Sequence, residues 1–436
     1  MSAPRPQLRL RTPTPQRAAE IAVFPTSQKN GAEAGPGRAI QSLDGRRFLI
    51  VSAPFGPFGV ALARTLEARG ATVQRMIFNA GDALNWPRAG GRVFKHSAQV
   101  WASRLAELTA DFTDLLLFGE GGPYNRAVLS AAEGLGPRVW VLENGYFRPD
   151  WITVEQNGVN ASSGLPRFKD GYPEPAPLLP DPKPVGRILP HHVVNITAYH
   201  VAQAVGGFLF PRHASHYTAS PLSQCLGHVR RYFGLALQSP SRNDVEVIAA
   251  RGPFFIACLQ REGDAQLLRY SRYADNTAFL AEVMTSFAVH APKASRLVIK
   301  NHPLDPGLID LEAVTRRLVI ERELQGRVDF IDGGNLAQLC RASQGMVVNN
   351  SSAALSALGF QTPVKVLGDA FFNFDGLTDQ QALNDFWSKP QAPDPALFAR
   401  FRAHVIAQSQ VNGNFHEPRA IRRTAEGVAD VFERVS

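Results

Sequence analysis

Two short runs set a cation, amides, an imidazole and hydroxyls directly after apolar stretches. Lys300-Asn301-His302-Pro303 follows Leu297-Val298-Ile299, and Asn349-Asn350-Ser351-Ser352 follows Met346-Val347-Val348. Lys300 offers a point charge for a phosphate. His302 offers an imidazole that donates to a phosphate oxygen or protonates a leaving phosphate. Asn350, Ser351 and Ser352 open a predicted helix, whose free N–H groups and positive end favour an anion. Taken singly, the first run reads equally as a polar turn and the second as ordinary N-capping. Together in one α/β half they point to a nucleotide phosphate site. Acids stand at comparable places earlier in the chain: Glu120 after Leu117-Phe118-Gly119, and Glu143 after Val141-Leu142. A carboxylate there acts as nucleophile or general base, or, for Glu143, braces the glycine-containing turn that follows. Arg148 suits a substrate carboxylate or phosphate. Tyr146 and Trp151 suit a sugar face or the core, and Asp82 is equally explained as a turn residue.

The elements that must position these groups are apolar strands alternating with helices. Phe48 to Val51, Val73 to Phe78, Asp114 to Phe118 and Val139 to Leu142 read as strands, with helices near Leu62 to Ala68, Val100 to Leu108 and Arg126 to Glu133. A second series starts at Phe254 to Leu259. It continues through a helix at Thr277 to His290, a strand at Leu297 to Lys300 and a helix at Asp310 to Leu324. Strands at Val328 to Ile331, Met346 to Val348 and Val364 to Leu367 complete it, with short helices from Leu336 and Ser352. Near-continuous apolar strands alternating with helices specify parallel sheets covered on both faces. The expected fold is therefore α/β, two Rossmann-like domains facing a cleft (GT-B-like), with ligands beyond the carboxyl ends of the strands. The expected boundaries are a disordered tail over 1–44, an N-terminal acceptor and catalytic domain over 45–190, a connector over 191–245 and a nucleotide-sugar domain over 246–436. The proline-rich stretch from Pro173 to Pro184 reads as a surface connector.

Composition narrows the partners. The chain has 436 residues, 44% of them hydrophobic, enough for two cores. Its formal net charge is +8, which suits polyanions: nucleic acid, an anionic membrane surface or phosphorylated substrates. No run of five Lys or Arg occurs, which argues against a nucleic-acid tail. Cys225, Cys258 and Cys340 are far apart and form no disulfide framework or zinc site, and no metal is expected. No apolar run is long enough to span a bilayer, and the N-terminus lacks the apolar core of a signal peptide. The expectation is a cytoplasmic protein that meets a membrane only from its surface. Neither a GxxxxGK[ST] phosphate loop nor a GxGxxG turn is present.

Several strings in combination resemble the capsule polysaccharide biosynthesis (modification) proteins, the β-Kdo transferases that start the lipid linker of bacterial capsules. They are Phe78-Asn79-Ala80-Gly81-Asp82, Phe118-Gly119-Glu120, Glu143 through Gly145-Tyr146-Phe147-Arg148-Pro149-Asp150-Trp151-Ile152-Thr153, Leu259-Gln260 through Asp264, Lys300 through His302-Pro303-Leu304-Asp305, and Asn350-Ser351-Ser352. The resemblance spans roughly 48–380. It implies a two-domain transferase moving Kdo from CMP-β-Kdo to a phosphatidylglycerol-type lipid with retention, at the inner membrane face and beside other capsule proteins. No cofactor is implied, CMP-Kdo being the donor substrate. Lys300, His302, Asn350, Ser351, Ser352, Arg148, Gln260 and Asp82 are then the nucleotide and substrate set. Glu143 is the first choice for a catalytic carboxylate, with Glu120 as second. The chain departs from the pattern at Glu120, where relatives often carry Asp, and at Asn144, where related transferases can carry an acid. Two alternatives stay open: a transferase of the same fold using another nucleotide sugar, and a non-catalytic capsule assembly or export scaffold.

Overall fold

A computed structural model describes residues 42–215, 230–231, 240–303, 305 and 307–435. The first half is built from β1 (Arg47–Ile50), α1 (Phe58–Glu67), β2 (Thr72–Ile77), α2 (Ala80–Leu84) and β3 (Gly91–Val93). It continues with α3 (Ala98–Ser103), α4 (Leu105–Thr109), β4 (Asp114–Phe118), α5 (Pro123–Ala131), β5 (Arg138–Asn144) and β6 (Trp151–Gln156). Then α6 (Ile188–Val205) leads towards the second half. That half holds α7 (Val245–Ala250), β7 (Phe254–Cys258), α8 (Ala265–Arg269), α9 (Asn276–His290), β8 (Arg296–Lys300), α10 (Leu311–Glu321) and β9 (Val328–Ile331). After these come α11 (Leu336–Ala342), β10 (Gly345–Val348), α12 (Ala353–Gly359), β11 (Val364–Val366) and α13 (Leu383–Phe386). The chain ends with α14 (Pro395–Ser409), β12 (Gln410–Asn412) and α15 (Pro418–Arg434).

The two halves share a strand order. The first sheet runs parallel through β3-β2-β1-β4-β5, with β6 antiparallel beyond β5, and the second runs β9-β8-β7-β10-β11, all parallel. In each the order reverses beside the first strand, the place where open α/β sheets bind ligands. The central strands are apolar because helices cover both faces; Phe48, Leu49 and Ile50 in β1 and every residue of β7 are buried. The α/β fold with two Rossmann-like halves facing a cleft agrees with the sequence. The predicted helix over Val100 to Leu108 is broken at Arg104 into α3 and α4.

The expected boundaries need three corrections. First, the chain does not stay in the second half to its end. Helix α14 buries Leu397, Phe398 and Phe401 in the second half's core, and β12 then pairs antiparallel with β6 at the edge of the first sheet. Helix α15 covers the first sheet: its Phe432 lies against Phe48 and Trp140, with ring centroids 5.3 and 4.8 Å away. The edge of β6 would otherwise expose unpaired backbone, and α1 would lack a neighbour. Arg46 ties the return down. Its guanidinium donates to Asp114 (Nε to Oδ2, 3.0 Å) and to the Phe432 carbonyl, and Trp140 also donates to Asp114 at 2.9 Å. Second, the start of the expected connector, whose sequence over His191 to Phe210 suggests a helix, packs as one on the first half. A Cβ on Gly206 would lie 2.4 Å from the Ala80 Cβ, and one on Gly81 2.7 Å from the Tyr199 ring, so the glycines let α6 settle directly on α2. Third, the expected tail over 1–44 ends earlier. Residues 1–41 lie outside the described ones, but Leu43 is buried and donates its N–H to the Arg69 carbonyl at 2.7 Å.

Phe432→Ala should remove about 3–5 kcal/mol of stability by opening a cavity under the first sheet. Urea denaturation checks this, with the exposed Arg422→Ala as a control expected within about 0.5 kcal/mol of the parent.

Candidate functional site

A cleft of about 460 Å³ lies between the halves at the carboxyl ends of both sheets. Its first-half wall is the loop after β4, the end of β5 and the inward side of α6. Its second-half wall is the segment from Arg261 to Arg269. Gly119, at φ 66°, makes the turn that carries the chain from β4 to Glu120. Asn125 of α5 holds that turn, donating to the Phe118 and Gly119 carbonyls at 3.0 Å each.

Glu120 and Glu143 both face the cleft, and one loop holds them. Glu120 is 3% exposed. It accepts from the Val159 N–H at 2.8 Å and from Ser162 Oγ and Gln266 Nε2 at 3.4 Å each. Burial raises its pKa, and the bonds from Val159, Tyr270 and Ser162 together with the Arg269 charge partly offset this. Glu143 accepts from Asn160 Nδ2 at 3.1 Å. Burial, reinforced by the negative charges of Asp264 and Glu120, pushes its pKa up to about 8, against the opposing pull of Arg148 and Asn160. Asn157 and Asn160 sit at φ 62° and 53°, left-handed conformations that Asn tolerates better than most residues.

The loop's anchor is a buried chain of hydrogen bonds. The Asn160 N–H donates to Tyr146 OH at 2.7 Å, and Tyr146 OH donates to Glu155 Oε1 at 2.8 Å. Ser163 Oγ donates to the other Glu155 oxygen. Glu155 is 8% exposed, and burial lifts its pKa to about 7 although both hydroxyls favour the anion. The Tyr146 ring packs on Phe371 of the second half, centroids 4.6 Å apart, and Trp151 is buried in β6. Both aromatics are buried, and neither lines the cleft.

The second half brings cations. His302 carries a pKa pushed down to about 3, first by burial and then by the charges of Arg148, Arg261, Lys300 and Arg231. Its imidazole is neutral at neutral pH, and the four cations mark an electropositive corner. Lys300 Nζ donates to the Gly333 carbonyl at 3.0 Å. Arg231 secures the loop, donating to the His302 carbonyl at 2.9 Å and pairing with Asp332. On the same wall, Asp264 caps α8 by accepting from the Gln266 N–H at 2.8 Å. Burial raises its pKa, partly offset by that bond and by Arg261 and Arg148.

The remaining predicted residues have structural engagements. Asn350 donates to the Gln266 and Tyr270 carbonyls at 3.1 Å each and accepts from Gln260 Nε2 at 2.7 Å, while Gln260 Oε1 accepts from Asn349 at 2.8 Å. These amides brace the ends of β7 and β10. Ser351 accepts from the Ala353 N–H at 3.3 Å, ordinary capping, and Ser352 makes no side-chain cap. Asp82 lines the cleft, but both its oxygens are committed. It pairs with buried Arg75 at 3.2 Å and accepts from the Phe78 N–H, Asn79 and Tyr199. Arg148 donates to the Gly145 carbonyl at 3.2 Å and lies near enough for its charge to act on Glu143, Asp264 and His302. Sequence reasoning did not single out Asp264, Arg261, Gln266 or Asn160. Asp264 stands three residues before Leu267 in the N-cap position, a visible signal; Asn160 has none. Among the described residues no group of three or more His, Cys, Asp or Glu is placed to hold a metal ion.

Residues 113–416 match the family model described as capsule polysaccharide biosynthesis protein. The chain is 34% identical over 386 residues to the capsule polysaccharide modification protein LipB of Neisseria meningitidis serogroup B, covering 84% of this chain and 91% of that one. It is 33% identical over 392 residues to the capsule polysaccharide export protein KpsS of Escherichia coli, covering 86% and 98%. Among solved structures, the Thermosulfurimonas dismutans KpsC β-Kdo 2,7 transferase aligns over 89% of this chain and 98% of its own. The TM-score is 0.42 and the identity 14%.

His302 makes the fold sensitive to acid. Its folded pKa of about 3 lies below the ordinary 6.5, so its contribution is complete above 6.5 and is lost as pH falls towards 3. The melting temperature of His302→Gln should therefore gain on that of the parent as pH is lowered from 7 to 4; a constant gap refutes the assignment.

Proposed function

This chain belongs to the capsule polysaccharide biosynthesis protein family, and we propose that it is a glycosyltransferase moving Kdo from CMP-β-Kdo to a phosphatidylglycerol-type lipid with retention. The observation that carries this reading is a cleft lined by Glu143, Glu120, Asp264 and Arg261, with the cationic corner of Arg148, Arg261 and Lys300 around His302 beside those carboxylates. The carboxylates suit a developing cation at an anomeric carbon. The corner suits the phosphate of a nucleotide donor, with Lys300, Arg261 and Arg148 neutralising charge and His302 donating one N–H.

The reaction breaks the bond between the donor's anomeric carbon and its phosphate oxygen, and CMP leaves with the electron pair. A carboxylate takes the carbon first and the acceptor oxygen takes it second; two inversions give retention. We assign the carboxylate role to Glu143, which is half-buried at the end of β5 and faces the cleft. The acceptor hydroxyl's proton passes to the coupled carboxylates, which titrate as a set. Asn350 and Gln260 act as positioning residues for the donor wall, and Asp82 as one for the acceptor wall.

Incubation of the protein with CMP-Kdo and a fluorescent phosphatidylglycerol analogue tests the reading; absence of both lipid product and CMP release refutes it. Glu143→Gln should lower turnover about 10²- to 10⁴-fold. Parent turnover should rise with pH through about 8, since Glu143 reacts only when ionised and burial holds its proton up to that point. Thermal shifts with CMP, UDP and GDP identify the nucleotide, stabilisation following occupancy; a shift with UDP or GDP alone assigns the fold to another donor.

A further inference from the structure

Helix α6 is built inside out. Its exposed positions are Leu189, Pro190, Val193, Val194, Thr197, Ala198, Val201, Ala204 and Val205, continued by Phe208. The steps are of one or three residues, so they form one helical face. That face carries no charge, and its large side chains range from 50% exposed at Val193 to 78% at Phe208. The inward face is the polar one. Tyr199 donates to Asp82 at 3.2 Å, His192 lies 2.9 Å from His416, and His200 and Gln203 share a contact at 3.0 Å. Ile196 and Tyr199 on that inward side line the cleft. An apolar face of this length, about 27 Å over the helix, is costly in water and marks a contact surface.

The charge around it identifies the partner. The stretch from Val185 to Ser215 contains no Asp or Glu. Arg187 is exposed at the amino end of the helix, and Arg212 and Lys95 are exposed at the other, where Lys95 lies 5.9 Å from the Phe210 ring. An uncharged apolar face flanked by cations complements a bilayer with anionic headgroups. Among the described residues no helix is long and apolar enough to cross a membrane, so the helix lies in the surface.

We propose that the outward face of α6, with the 207–209 turn, seats the protein on an anionic lipid bilayer and opens the cleft to acceptor lipid along the helix's inward face. The delivery of acceptor rests on the lipid-acceptor reading above; the seating does not. The full chain should sediment with vesicles of phosphatidylcholine and phosphatidylglycerol, and less with phosphatidylcholine alone. Val194→Asp combined with Val201→Asp should weaken vesicle binding at least about tenfold, without changing the melting temperature or turnover of a short-chain acceptor in detergent. Equal vesicle binding by parent and variant, or none by the parent, overturns the proposal. So does a parent dimer that the variant loses without any vesicle binding, which assigns the face to a second copy. Vesicle binding without transfer to any acceptor leaves the seating supported and refutes the transferase reading; transfer in detergent without vesicle binding does the reverse.

Discussion

The hydrogen bonds meeting at Tyr146 set the geometry on which the site depends. Its hydroxyl receives the Asn160 N–H and donates to Glu155, and its own N–H donates to the Gln410 side chain at 2.9 Å. The first bond fixes the 157–165 loop, which alone supplies Asn160 to Glu143 and Val159 and Ser162 to Glu120. The second satisfies a carboxylate that burial would otherwise make costly. The third ties the chain's last strand to the site, because Gln410 opens β12 and also donates to Thr153 of β6 at 3.0 Å. With the ring against Phe371, one residue links the loop that holds both cleft acids to the second half.

This explains why the carboxyl-terminal return is part of the site and more than a clasp. Two open sheets joined by a connector would be free to hinge. Here α14 is buried in the second half and β12 completes the first sheet, so the chain crosses twice. The second crossing runs beside Tyr146. Gln266 adds a polar bridge, donating to Glu120 and accepting from the Ala161 N–H at 3.3 Å. A cleft closed by such contacts holds its carboxylates in place before any ligand arrives, which electrostatic catalysis requires.

How much of this was legible depended on how local the signal was. Strands buried on both faces announce themselves as apolar runs, and the rule that sites lie beyond their carboxyl ends selected Glu120, Glu143, Lys300 and His302, of which Glu120 and Glu143 line the cleft. The same rule also selected Asn350 and Asp82, and the resemblance added Gln260; an amide or carboxylate that braces a loop has the same type and place as one that meets a ligand, and only its partners tell them apart. Gln410-Val411-Asn412 is too short and polar to read as a strand, so the return to the first sheet had no sequence signature. Helix α6 has clear periodicity, but periodicity does not say which face points inward. The polar residues inside and the valines outside reverse the usual rule.

That reversal and the titration of the cleft belong to one electrostatic design. A site for an anionic donor faces a contradiction if it also holds three carboxylates. In the resting protein the conflict is reduced by protonation, Glu143 carrying its proton up to about pH 8 while His302 stays neutral down to about 3. Both groups therefore occupy their uncharged forms at neutral pH, with Arg148, Arg261 and Lys300 as the neighbouring cations. A phosphate entering the cationic corner would favour the charged form of His302 and oppose ionisation of Glu143. Departure of the nucleotide reverses both effects. On the proposed reading Glu143 attacks while the nucleotide is still bound, so it must ionise against the donor's charge, and the nearby Arg148 is the cation that favours its anion.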